Sequence, residues 1–340
     1  MNTLKKIGLT ALGTSLVAGS AYAGEITASG DAGYTWSSED VGETKAVNEG
    51  YGYNHDITFS GSGELDNGFT VSTTMILVES SALSSSNVTL GMGGLGSITI
   101  GSGWAGVGGN YDDMTPRAYE ENHDGMATST AIDNMGALMD GNVVHYTSPS
   151  FDLAGASASF MLGFTPEASD TATGEGAVAA QSAAYGSAKE LGIKVGYAGL
   201  TAGAYGMEVE NDQGAESGAY YFTYTMGPAS IGYSKAYKAP IMADATTSAG
   251  ATTIEYYDQT NYSIAYAAND DLSVSYEKET SEANYATSTT ATVEQESSGV
   301  QIAYTMGGMT LALSHNNHDN IGYATNSEVD QTLIAVTMAF

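Results

Sequence analysis

The chain has no cysteine, five prolines and two tryptophans, and only nine lysines and arginines against 39 aspartates and glutamates. Without cysteine a disulfide-stapled secreted fold is excluded. So few bases exclude nucleic-acid binding, which needs a positive footprint. After the N-terminal region no run of about 20 apolar residues occurs, so no transmembrane helix is expected there. Catalytic signatures are lacking too: there is no nucleophile elbow, metalloprotease motif or P-loop. The Gly-rich runs Gly91–Gly94 and Gly101–Gly106 are followed by neither a Lys nor a helical pattern, and read as close-packed strands and turns.

What is present is glycine (43), tyrosine (23) and alternation. High acidity can signal disorder, but persistent period-2 patterning and abundant Tyr argue against it. The last ten residues, Gln331 to Phe340, place Ile334, Val336, Met338 and Phe340 on one parity. Ten alternating residues are about the length of a tilted strand across a bilayer. Taken alone, the segment fits an edge strand of a soluble sandwich equally well.

The N-terminus separates the two. Lys5 and Lys6 precede an apolar stretch from Ile7 to about Ala18 and an Ala21-Tyr22-Ala23 site, the pattern of a secretory signal peptide over 1–23. Cleavage after Ala23 leaves 24–340, with seven bases and a net charge of −32. A membrane protein without spanning helices has one remaining architecture, the closed β-barrel.

Alternating runs recur in pairs joined by Gly, Asn or Asp, the residues tight hairpins need. Examples meet at Ala198-Gly199, Gly227-Pro228, Asn269–Asp271 and Gly307-Gly308. Longer polar stretches, such as Thr165–Ala188, Ala239–Tyr257 and Ser281–Val293, fall between the pairs. Short turns on one side and long loops on the other are the asymmetry of an outer-membrane barrel. The strand cores read as 25–36, 51–64, 69–79, 87–93, 97–104, 142–150, 155–164, 190–198, 200–209, 218–226, 229–238, 258–267, 272–280, 297–306, 309–317 and 328–340. Sixteen strands enclose an aqueous channel; counts of 14 or 18 stay open, because the N-terminal half patterns more weakly.

Four features are similar to the general bacterial porins, in particular their alphaproteobacterial branch. They are the leader followed by Glu25-Ile-Thr-Ala-Ser-Gly-Asp-Ala, the run Gly96-Ser-Ile-Thr-Ile-Gly-Ser-Gly103, the run Gly141-Asn-Val-Val-His-Tyr-Thr-Ser-Pro-Ser-Phe151, and the terminal Phe340. The resemblance implies a 16-stranded antiparallel transmembrane β-barrel at 24–340. Its third loop, here 104–141, would fold into the pore. It also implies a homotrimer in the outer membrane beside lipid and lipopolysaccharide, and Phe340 as a signal to the barrel assembly machinery. Small hydrophilic solutes would cross by diffusion, with no reaction catalysed.

The third-loop segment carries Asp112, Asp113, Glu120, Glu121, Asp124, Asp133 and Asp140. Carboxylates in a narrow aqueous passage favour cations; on an outer solvated loop they would do nothing of the kind. If Phe340 faces lipid, strand parity sends Lys194, Lys238, Glu277 and Glu279 inward. It sends Lys235 outward, to snorkel at a rim. Arg117, His145, Lys194 and Lys238 are the candidates for a wall opposing the acids. The family usually carries an Arg where this chain has His145, so the wall is thin in bases and cation preference is expected. No cofactor is expected, apart from a candidate structural Ca²⁺ at Asp112, Asp113, Glu120 and Glu121. His315 and His318, beside Asn316, Asn317 and Asp319, read as a polar loop. The alternatives are a substrate-specific channel for amino acids or sugars, with Trp104, Tyr111 and Tyr119 as a stacking track, and a non-porin surface barrel or adhesin. N-terminal sequencing of the protein recovered from outer membranes should begin at Gly24.

Overall fold

The computed structural model describes residues 26–42, 46–78, 82–102, 106–112, 114–123, 143–166, 186–210, 215–239, 254–285 and 291–340. The signal peptide, Trp104, Asp113, Asp124, Asp133 and Asp140 lie outside them. The strands are β1 (Ile26–Val41), β2 (Ala46–Glu64), β3 (Thr70–Leu77), β4 (Leu83–Gly91), β5 (Ser97–Ser102), β6 (Val143–Thr147) and β7 (Phe151–Leu153). They continue as β8 (Ala156–Thr165), β9 (Ala188–Tyr197), β10 (Leu200–Val209), β11 (Ala215–Met226), β12 (Ala229–Ala239) and β13 (Ile254–Ala267). The last four are β14 (Leu272–Tyr285), β15 (Glu294–Met306), β16 (Met309–Asp319) and β17 (Glu328–Ala339). No helix among the described residues is long and apolar enough to cross a membrane.

Every strand pairs antiparallel with its neighbours, and β1 pairs with both β2 and β17, so the sheet is closed. β6 and β7 both pair with β8 and are two halves of one stave, giving sixteen. The sixth strand, expected over 142–150, is therefore interrupted at 148–150 and resumes to Leu153. The cause is Pro149, which has no N–H for the ladder. Ser148 compensates: its N–H donates to the Phe160 carbonyl at 2.9 Å, and its hydroxyl accepts from the Phe160 N–H at 2.9 Å.

Other boundaries shift outward. β1 and β2 run five residues further toward the 42–45 turn than expected, β13 and β14 extend into stretches expected to be loops, and β15 starts three residues before its expected beginning. These extensions are polar, so no apolar alternation marks them; ladder hydrogen bonds hold them. The short turns were legible because their backbones need unusual residues. Ala198 and Gly199 sit at φ 46° and 87°, and Gly227 and Gly307 at 59° and 62°.

Closure depends on the end of the chain. Gly30 N–H donates to the Phe340 carbonyl at 2.7 Å, and Phe340 N–H donates to the Gly30 carbonyl at 2.9 Å. The register Asp31↔Ala339 to Val41↔Val329 follows. Phe340 is exposed on the outer face with Ile334 and Met338. Leu191, Ile193, Val195, Tyr197, Ile231 and Tyr276 are exposed on that face too, as parity required. A belt of rings (Tyr220, Phe222, Tyr233 and Tyr262, with centroids 5.1–6.0 Å apart) crosses β11–β13 there. Lys235 also lies on this parity, and its Nζ sits 3.1 Å from Asp258 Oδ2.

The opposite parity is polar and buried: Gln259, Asn261 and Ser263 on β13, Ser275, Glu277, Glu279 and Ser281 on β14, and Gln295, Ser297 and Gln301 on β15. In a closed sheet this is the lumenal face.

A Cβ added at Gly30 would stand 2.8 Å from Phe340 Cε2. Gly30→Val should therefore cost about 1–3 kcal/mol, read as a lower temperature for loss of the compact band in heat-modifiability gels. An unchanged transition would show that this contact does not hold the seam.

Candidate functional site

Residues 106–123 run along the lumenal face from β9 to β16, hydrogen-bonded to β9, β14, β15 and β16. At the start, Glu190 on β9 accepts from the N–H groups of Val107 (2.9 Å) and Gly108 (3.2 Å) and from the Tyr205 hydroxyl (2.6 Å). Tyr111 then stacks on Tyr205, centroids 5.6 Å apart, and Lys194 Nζ sits 4.9 Å from the centre of its ring. Val107 and Tyr111 join Val143, Met161, Tyr205, Met207 and Tyr221 in a buried apolar cluster. Burial, with Tyr221 adding to it, raises the pKa of the Tyr111 phenol well above its ordinary value, so it stays neutral.

Further on, Glu277 of β14 is the hub. It is fully buried. Oε1 accepts from Thr115 Oγ1 (3.2 Å), Arg117 Nη1 (3.3 Å) and Asn261 Nδ2 (2.9 Å), and Oε2 from the Asn122 N–H (3.3 Å). Arg117 also reaches Glu121 at 3.5 Å. Gln301 Oε1 accepts from the Tyr119 N–H, and Ala118 N–H donates to Ser275 Oγ. Asn316 Nδ2 donates to the Asn122 carbonyl at 3.1 Å. Ala118 and Tyr119 pack on a second cluster, Ala303, Ala312, Leu333 and Ala335.

The wall is shaped to receive this segment. A Cβ at Gly192 would collide with the Tyr111 ring, and one at Gly232 with Pro116. Glycine inside a strand marks a close approach of backbone or side chain. That was the available signal in the sequence for the path of the segment, together with the inward parity of Glu277. Nothing in the sequence singled out Glu190, Gln301 or Asn316 as its anchors.

The expected residues are distributed differently from an acid loop facing a basic wall. Arg117 is not on an opposing wall. It lies in the same segment as the acids, and its charge goes to Glu121 and Glu277. Lys194 and Lys238 do point inward, but from β9 and β12, part of the wall along which the segment runs; Lys238 is buried and Lys194 meets Tyr111. His145 on β6 is buried, in register with Gly163 and through it with Glu190, at the start of the segment rather than across from it. Glu121 is buried, whereas Asp112 is half-buried and Glu120 is exposed. Of the expected calcium ligands, Asp113 lies outside the described residues. Among the described residues, the acids and imidazoles that come together are Glu121, His123 and Glu279. Tyr111, expected as a stacking surface for sugar, has its face covered by Tyr205 and Lys194.

Strands β1–β5 lie outside that stretch of wall. Those strands contain no lysine or arginine, and Lys45, the base nearest them in sequence, lies outside the described residues. Asp31 pairs directly with Asp56 across β1 and β2, on the lumenal parity shared with Ala339 and Ala335.

A family model described as Gram-negative porin matches residues 8–293. The chain belongs to that family. It is an outer-membrane porin channel, and solved porins are among the structures it resembles. One is Salmonella typhi OmpF in complex with daunomycin, with a TM-score of 0.68, 13% identity, and 93% and 98% of the two chains covered. Another is an anion-selective porin from Comamonas acidovorans, with a TM-score of 0.61, 11% identity, and 93% and 99% covered. A mutant of the Rh. blastica porin aligns at a TM-score of 0.57 with 12% identity, over 93% and 100%. No curated protein matches in sequence. Identities this low carry the barrel architecture and leave ion preference to the residues of this chain.

Arg117→Met would leave Glu121 and Glu277 buried without their cation, a cost of about 3–5 kcal/mol. The urea midpoint of the refolded barrel should fall, and the double variant Arg117→Met/Glu277→Gln should recover part of the loss. Full additivity of the two changes would contradict the coupling.

Proposed function

We propose that this porin is a general diffusion channel for small hydrophilic solutes with a preference for cations. Segment 106–123 sets its aperture. The observation that carries the reading is the charge of the wall formed by β1 and β2: these strands hold acids and no lysine or arginine, and Asp31 and Asp56 stand side by side on the lumenal face. The bases of the other wall are occupied, Lys194 against Tyr111 and Arg117 against two carboxylates. Among the described residues no cationic cluster opposes them, and the acids give the passage a negative potential, which low-dielectric walls strengthen. Glu120 and Asp112 add to it from the segment, as would Asp113, Asp124 and Asp133.

The apolar outer belt fits lipid, and the terminal strand with Phe340 fits recognition by the barrel assembly machinery. Homotrimer formation and export through cleavage after Ala23 belong to the same reading. A sugar-specific channel is less favoured, because the Tyr111 face is already in use. In this reading solutes cross unchanged, with no reaction catalysed.

Reversal potentials across planar bilayers in a potassium chloride gradient test the preference. Potassium should permeate faster than chloride, and Asp31→Asn/Asp56→Asn should lower the permeability ratio by roughly twofold or more at low salt. An anion-selective wild-type channel would overturn the proposal.

A further inference from the structure

The two halves of segment 106–123 are held in different ways. From Thr115 to Asn122 the partners are four lumenal side chains on three strands: Ser275 and Glu277 of β14, Gln301 of β15 and Asn316 of β16. From Gly106 to Tyr111, Glu190 is the one wall side chain hydrogen-bonded to the segment among the described residues. The remaining backbone bonds there close a tight turn: Asn110 N–H donates to the Val107 carbonyl, and Tyr111 N–H to the Gly108 carbonyl.

Glu190 is seated to grip that turn. It is buried, and each oxygen accepts one backbone N–H, Oε2 from Val107 and Oε1 from Gly108, with the Tyr205 hydroxyl also on Oε1. A Cβ at Gly106 would stand 2.5 Å from Oε2 and one at Gly163 2.4 Å, so these two glycines leave the slot in which the carboxylate lies. Hydrogen bonds to an ionised carboxylate are roughly twice as strong as neutral ones.

The half that Glu190 holds also carries a cost. The hydroxyls of Tyr111 and of Tyr221 on β11, whose ring centroids are 6.3 Å apart, are buried without a hydrogen-bond partner. Release of the turn would give them water, which the docked state denies them. Gly106, at φ 58°, Gly108 and Gly109 make this the part of the segment with the freest backbone.

We infer that Glu190 is a positioning residue: its carboxylate latches a strap, 106–111, that leaves the wall when the latch is opened while 115–122 stays bound. The apolar contacts of Val107 and Tyr111 remain in either case, but the two unpaired hydroxyls are set against them, so the carboxylate decides docking. The latch does not depend on ion preference. Its effect on current rests on the reading that the segment sets the aperture.

The chain has no cysteine, so a nitroxide can be placed at one site of the refolded full-length barrel, at Asn110→Cys in the strap or at Glu120→Cys in the far half. Glu190→Gln sets an amide N–H₂ donor against backbone N–H groups. It should raise the mobile spectral component at 110 about tenfold or more and leave the spectrum at 120 unchanged. Gly163→Ala fills the slot with the charge retained; it should give the same result, and it decides if Glu190→Gln does not refold. Open-channel current noise in planar bilayers should rise in both variants. An unchanged spectrum at 110, or equal mobilisation at 110 and 120, would overturn the latch. Mobilisation at 110 alone with unchanged current would support the latch and overturn the aperture reading instead.

Discussion

In a bilayer an unpaired backbone N–H or C=O has no water to turn to, and this one constraint organises the molecule. The sheet has to close. The closing pair is β1 with β17, extended by the reciprocal Gly30–Phe340 hydrogen bonds. Once it is made, every strand has two neighbours and side chains divide into two populations by parity. Leu, Ile, Val, Tyr and Phe go to lipid, and Gln, Asn, Ser and Glu go to the lumen. The interior is then a polar surface that needs hydrogen-bonding partners of its own.

The segment 106–123 supplies many of those partners. Its backbone N–H groups satisfy Glu190, Glu277 and Gln301, which would otherwise be lumenal groups competing for water. Two small apolar clusters fix it at either end, under β9–β11 and under β15–β17. A loop held this way is part of the wall. Its described contacts lie along β9–β17.

Much of the architecture could be read from the chain. Period-2 alternation places Leu191, Ile193 and Val195 outward and Lys194 inward, because a strand offers no other arrangement of its side chains. Turns at Ala198-Gly199 and Gly307-Gly308 announce themselves by residues that tolerate positive φ. The ends of β13–β15 were less visible, since polar residues paired above the membrane leave no hydrophobic pattern. The break at Pro149 was visible in principle, as a proline inside a strand.

The lumenal site was legible only in part. Composition and parity by themselves determined an acidic barrel with few inward bases and two inward glutamates on β14. The tertiary structure alone decided that Arg117 joins the acids rather than opposing them, and that Glu277 meets it across 160 positions of chain. Strand periodicity is a local property, carried by each residue and its immediate neighbours. The meeting of a loop with a distant strand depends on closure, register and the grooves left by Gly192 and Gly232, and these exist only once the barrel has formed.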